Sequence, residues 1–160
     1  MTPPWATPGN LSAKLYLTAN CGLWLALWAS SPDQAVKAAD FLQIHLDRTG
    51  QLPSFWHTQW LAGGLWYKMN RVDLAQRVFE YLSQRLTDLA VSNLSWLVTT
   101  LCAAGVTSDQ LILESATALL EQSQHPDAGQ VKMAQITMCI RPWKRCAPYC
   151  WAGEGVGGSD

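Results

Sequence analysis

Helical hairpins recur along this chain with a period near 40 residues, and that recurrence restricts the fold more than any other feature. Apolar residues return at helical spacing from Leu11 to Leu120, and no stretch alternates strictly enough for a strand. The spacing predicts six helices. The first runs from about Ser12 to Ala29. Ser31-Pro32-Asp33-Gln34 opens the second, which Gly50 ends: Ser as N-cap, Pro at the first helical position, and Gln three residues after the cap. A third covers about Phe55 to Met69, a fourth about Asn70 to Arg85, and a fifth Leu94 to Ala104. Thr107-Ser108-Asp109-Gln110 repeats the capping pattern before a sixth, which runs to Gln124.

The helices pair into three hairpins. Asp33, Asp73 and Asp109 lie 40 and 36 residues apart, and Phe41-Leu42, Tyr81-Leu82 and Leu119-Leu120 lie 40 and 38 apart. In each hairpin the first helix is almost wholly apolar and the second carries charges on one face. An all-round apolar helix needs to be buried, and an amphipathic one can cover it from outside. The expected class is therefore all-α: helical hairpin repeats, about three of them, forming part of an α/α toroid.

On these residues the chain resembles the terpenoid cyclase and prenyltransferase family of the squalene-hopene cyclase type. Members often end their outer helices with an aromatic-Leu pair, three residues, Gln, a short gap, Gly, one residue and Trp. Here the third hairpin reads Leu119-Leu120, Gln124 and Gly129, with Val131 in the Trp position. The first reads Phe41-Leu42, Leu46 in the Gln position, Gly50, and Leu52 in the Trp position. The second keeps only Tyr81-Leu82. The resemblance covers residues 11 to 130 and implies an isoprenoid ligand in an aromatic-lined cavity.

The family's catalytic signatures are missing. There is no Asp-x-Asp-Asp acid, no clustered Asp motif for magnesium pyrophosphate, and no Asp-x-Cys for zinc. Asp33, Asp40 and Asp47 fall seven apart along one helix and read as a solvated stripe paired with Lys37 and Arg48. No catalytic residue, metal site or cofactor is assigned.

Charged residues make up 14% of the chain, with 11 basic and 12 acidic, for a formal net charge of −1. Such a balance provides no field for gathering phosphates, so no nucleic-acid partner is expected. The most apolar run, Cys21 to Ala29, is about half of the ~20 residues that a membrane span requires. Residues 1–10 form a Pro-rich extension without the basic residue of a signal peptide. With Cys21 and Cys102 placed in apolar runs as buried thiols, the chain reads as cytoplasmic.

Residues 131–160 break the pattern. They hold Cys139, Cys146 and Cys150, whose seven- and four-residue spacings suit no zinc knuckle. One reading is a disordered tail. The other is a frameshifted fourth hairpin. Joining each codon's third base to the next two bases makes Met138/Cys139 read Val, and Tyr149/Cys150 and Cys150/Trp151 read Leu. Apolar residues then fall on one helix face at slots 139, 143, 146 and 150.

The Trp residues at 24, 28, 56, 60, 66 and 96 read as core between helix layers, or as ring faces for a ligand. Trp60, Trp66 and Trp96, with the polar pair His57 and Gln59 at the start of the third helix, are the candidate ligand-binding residues. His45 and His125 read as surface. Gly63-Gly64 inside a helix costs ~1 kcal/mol per residue against Ala, which predicts close approach of a neighbouring helix. Two functions fit: a terpenoid cyclase/prenyltransferase-like domain binding an isoprenoid or other apolar ligand, or a non-catalytic helical scaffold for a protein or lipid partner, self-association included.

Overall fold

A computed structural model describes residues 9–28 and 31–123, all within one compact unit, Met1–Gln124. The expectations for residues 131–160, and for His125, lie outside the described residues. The fold is all-helical: α1 Leu11–Trp28, α2 Pro32–His45, α3 Trp56–Lys68, α4 Val72–Ser83, α5 Val91–Ala104 and α6 Leu111–Gln122, with a 3₁₀ turn at Leu86–Asp88. No strand occurs among the described residues.

The three first helices of the hairpins lie side by side as a row, α1 against α3 and α3 against α5. The second helices α2, α4 and α6 each pack on the first helix of their own hairpin. Positions one repeat apart stand at matching heights. Beside Gly64 of α3 lie Leu23 of α1 and Ala104 of α5, which are 41 and 40 residues away in the chain. The row is thus tight enough for α1 and α5 to touch across α3. Both of its inner turns end alike. Asn70, at φ 61°, lets the Arg71 N–H donate to Trp66 O at 2.8 Å, and Gly105, at φ 90°, lets the Val106 N–H donate to Leu101 O at 3.0 Å. A left-handed residue closing a helix by this bond satisfies carbonyls that the last turn leaves free.

Glycine permits the close packing, as the sequence predicts. A Cβ on Gly63 would lie 2.8 Å from the Phe79 ring of α4, and one on Gly22 would lie 2.7 Å from the Ala38 Cβ of α2. Every residue from Thr58 to Trp66 is buried, so α3 is enclosed on all sides.

Four expectations are corrected. The predicted capping boxes do not form: no side-chain cap bond is made at the starts of α2, α4 or α6. Thr107 to Gln110 instead make a turn before α6. Secondly, α2 ends at His45 rather than at Gly50. Thirdly, the acidic stripe is no stripe. Asp40 pairs with Arg71 at the start of α4, 2.7 Å away, and Asp47 lies beyond α2. Fourthly, α1 is not buried all round. Cys21 is exposed, as are Leu17, Trp24 and Trp28, because α1 is the edge of the row and has a neighbouring first helix on one side only.

The loop from α2 to α3 is built around Asp47. Its carboxylate accepts from the Gln51 N–H (2.8 Å), the Thr49 N–H (2.9 Å) and the Thr49 hydroxyl (2.8 Å). The Gln51 N–H, more than any other group, holds the Asp47 carboxyl below the usual carboxylate range. These bonds are therefore complete above the ordinary carboxylate pKa and weaken as pH falls through the lowered one. Arg77 of α4 donates to the Asp47 carbonyl, and Gly50, at φ 87°, lies directly against the Arg77 carbonyl.

Two glycine substitutions separate backbone strain from collision. Gly105→Ala meets open space and loses about 1–2 kcal/mol, the cost of a left-handed alanine. Gly50→Ala adds an overlap with the Arg77 backbone, so its loss in urea-denaturation stability exceeds that of Gly105→Ala by at least ~1 kcal/mol.

Candidate ligand site

The five candidate residues separate into two groups with different work. Gln59 is buried, and its side chain spans the backbone of one residue: Oε1 accepts from the Leu52 N–H at 3.0 Å, and Nε2 donates to Leu52 O at 2.9 Å. Leu52, in the position where the resembled motif has Trp, is itself fully buried. Gln59 thus pins the end of the α2–α3 loop onto α3. Trp66 is fully buried too, and its Nε1 donates to Ala39 O of α2 at 3.2 Å. Neither side chain faces an open surface.

His57, Trp60 and Trp96 do come together. The His57 ring lies 4.7 Å from that of Trp96 and 5.1 Å from that of Trp60, the latter edge to face. Trp60 and Trp96 meet edge to face at 5.7 Å. These are favourable aromatic geometries. Tyr16 of α1 adds a ring 6.3 Å from His57, and Phe55, just before α3, meets Tyr16 at 6.1 Å. All three first helices therefore contribute to one aromatic cluster.

The cluster is graded from inside outward. Trp60 is fully buried and its Nε1 hydrogen has no acceptor, whereas His57 is half-buried and Trp96 and Phe55 are exposed. A buried donor left unpaired costs about 1–3 kcal/mol, and among the described residues Trp60 Nε1 is the buried side-chain polar atom in that position. Tyr16 and Phe55 were not among the candidates read from the sequence. The repeat period carried a signal for Tyr16: Tyr16, His57 and Trp96 are 41 and 39 residues apart, so they occupy matching heights on successive first helices.

The remaining candidate chemistry is thin. No group of three or more His, Cys, Asp or Glu able to hold a metal occurs among the described residues. Cys102 is half-buried, and burial pushes its thiol pKa up, away from the reactive thiolate. His45 is half-buried with its ring 5.0 Å from that of Phe41, so it is a packing residue of α2. No helix among the described residues is long and apolar enough to cross a membrane.

The two groups predict opposite phenotypes. Gln59→Ala strands both backbone groups of a buried residue and costs more than ~2 kcal/mol of stability in chemical denaturation. Trp96→Ala removes an exposed ring and costs under ~1.5 kcal/mol, leaving the helical circular dichroism unchanged.

Comparison with known proteins returns no matching family model, no matching curated protein and no matching solved structure.

Proposed function

We propose that the chain is a terpenoid cyclase/prenyltransferase-like helical repeat domain that binds an isoprenoid or similar apolar ligand, with no recognisable catalytic motif in this chain. The observation that carries this reading is the aromatic cluster His57–Trp60–Trp96, to which α1 adds Tyr16. Rings from successive hairpins, placed one repeat apart and open at Trp96 and Phe55, offer flat apolar faces to a polyene chain. A ligand hydroxyl or ether oxygen that reached Trp60 would supply the acceptor its buried N–H lacks. The pairing of helices, α1 on α3 and α3 on α5 with α2, α4 and α6 on their partners, supports the reading as a segment of an α/α toroid.

A second reading, a scaffold that docks a protein or lipid partner, is favoured by one specific feature: the exposed Leu17, Trp24 and Trp28 on α1.

Titration with farnesol, followed by tryptophan fluorescence, tests the ligand site. Wild type gives a saturable change, and Trp96→Ala weakens it about tenfold, equivalent to the ~1.4 kcal/mol of one aromatic contact. A change that does not saturate, or one that Trp96→Ala leaves intact, contradicts a ligand at this cluster.

A further inference from the structure

Most buried polar side chains of α3 have a protein partner, and the exceptions lie together. Thr58 shares its hydroxyl with that of Ser54 at 2.8 Å, Gln59 spans the backbone of Leu52, and Trp66 donates to Ala39 O. Trp60 is buried as deeply as these, yet its Nε1 hydrogen has no acceptor among the described residues. His57 stands three residues before it, on the same side of the helix. Its ring meets those of Tyr16, Trp60 and Trp96, and its side chain makes no hydrogen bond among the described residues. A neutral imidazole has one nitrogen that donates and one that accepts. Two adjoining rings thus hold a donor shut off from water and an acceptor nitrogen, neither with a protein partner.

The gradient of exposure gives a ligand its way in. Trp96, whose ring meets both His57 and Trp60, is 39% exposed. Exposed side chains change rotamer within nanoseconds, so Trp96 is the ring that turns aside when a ligand enters. The end group that enters is then chosen by chemistry. The rings of Tyr16, Phe55, Trp60 and Trp96 have no charge to offset the desolvation of an anionic end. A hydrocarbon end leaves the Trp60 N–H unpaired. An ether oxygen accepts from Trp60 and offers His57 nothing. A hydroxyl serves both, accepting from Trp60 Nε1 and donating to the free imidazole nitrogen.

We infer that Trp60 and His57 are the specificity-determining pair of the ligand site, selecting a long-chain alcohol of the isoprenoid type over the matching ether or hydrocarbon. The inference rests on the aromatic cluster being the ligand site, as proposed above. The exposed rings of Trp96 and Phe55 take the apolar chain, and the pair fixes which end of the ligand goes in first. A site with buried polar groups rejects a ligand that leaves them unpaired more strongly than an apolar pocket rejects one of the wrong length.

Tryptophan-fluorescence titrations of the full chain with farnesol, farnesyl methyl ether and β-farnesene test it, in wild type, His57→Phe and Trp60→Phe. The readout is the ratio of two affinities in a variant against the same ratio in wild type, which cancels the ligands' differing solubility. His57→Phe is expected to lower the alcohol-to-ether ratio about tenfold and to leave the ether-to-hydrocarbon ratio unchanged. Trp60→Phe is expected to lower the ether-to-hydrocarbon ratio by about the same factor. Circular dichroism checks that both variants fold. His57 is only half-buried, so His57→Phe decides the matter if Trp60→Phe does not fold. Saturable binding whose alcohol-to-ether ratio His57→Phe leaves unchanged overturns the inference and keeps the ligand site. An ether-to-hydrocarbon ratio that a folded Trp60→Phe leaves unchanged does the same, since the N–H is then turned away from the ligand. No saturable change with any of the three ligands removes the ligand site itself, and the inference with it.

Discussion

Everything in this fold depends on the enclosure of α3. Nine consecutive residues, Thr58 to Trp66, are shut away from water, with α1 and α5 on its flanks and α4 behind. Helices pack this closely only where side chains vanish at the crossing points, and Gly22, Gly63 and Gly64 provide those places. The glycines reduce the intrinsic helicity of their segments, and the area buried by Trp60, Leu61, Leu65 and Trp66 offsets it. Burial also sets a demand on polar groups. Thr58 shares its hydroxyl with that of Ser54, at 2.8 Å, Gln59 holds Leu52, and Trp66 reaches Ala39. Among the buried side-chain polar atoms of the described residues, Trp60 Nε1 is left without a partner, at the point where the aromatic cluster begins.

The site follows from that arrangement. Because the first helices stand at matching heights, aromatic residues spaced by one repeat converge at one end of the row, and Tyr16, His57 and Trp96 do so. The same repetition thus produces a concentrated aromatic patch.

Much of this was legible in the chain's periodicity. Six helices, their order and the close approach at Gly63-Gly64 can be read from apolar spacing, because a helix that packs on several neighbours must be apolar on several sides. Helix starts were less legible. Ser, Thr and Asp favour turns as much as caps, and at Thr107–Gln110 the turn prevailed. Composition also misassigned α1, whose apolar character resembles that of α3 although only one of its sides meets another first helix. Cys21 and Trp28 look like core in the sequence and lie in the open. Among the candidate residues, the spacing that marked His57, Trp60 and Trp96 could not distinguish them from Gln59 and Trp66. What distinguishes them is a loop backbone, Leu52, and a carbonyl on another helix, Ala39, and no local pattern encodes either partner.

Native-state hydrogen exchange tests the central role of α3 most directly. Amides of α3 from Trp60 to Trp66 should exchange slowest in the molecule, by global unfolding, while those of α6 and the outer side of α1 exchange through smaller local openings. Exchange in α3 as fast as in α6 would contradict a fold organised around it.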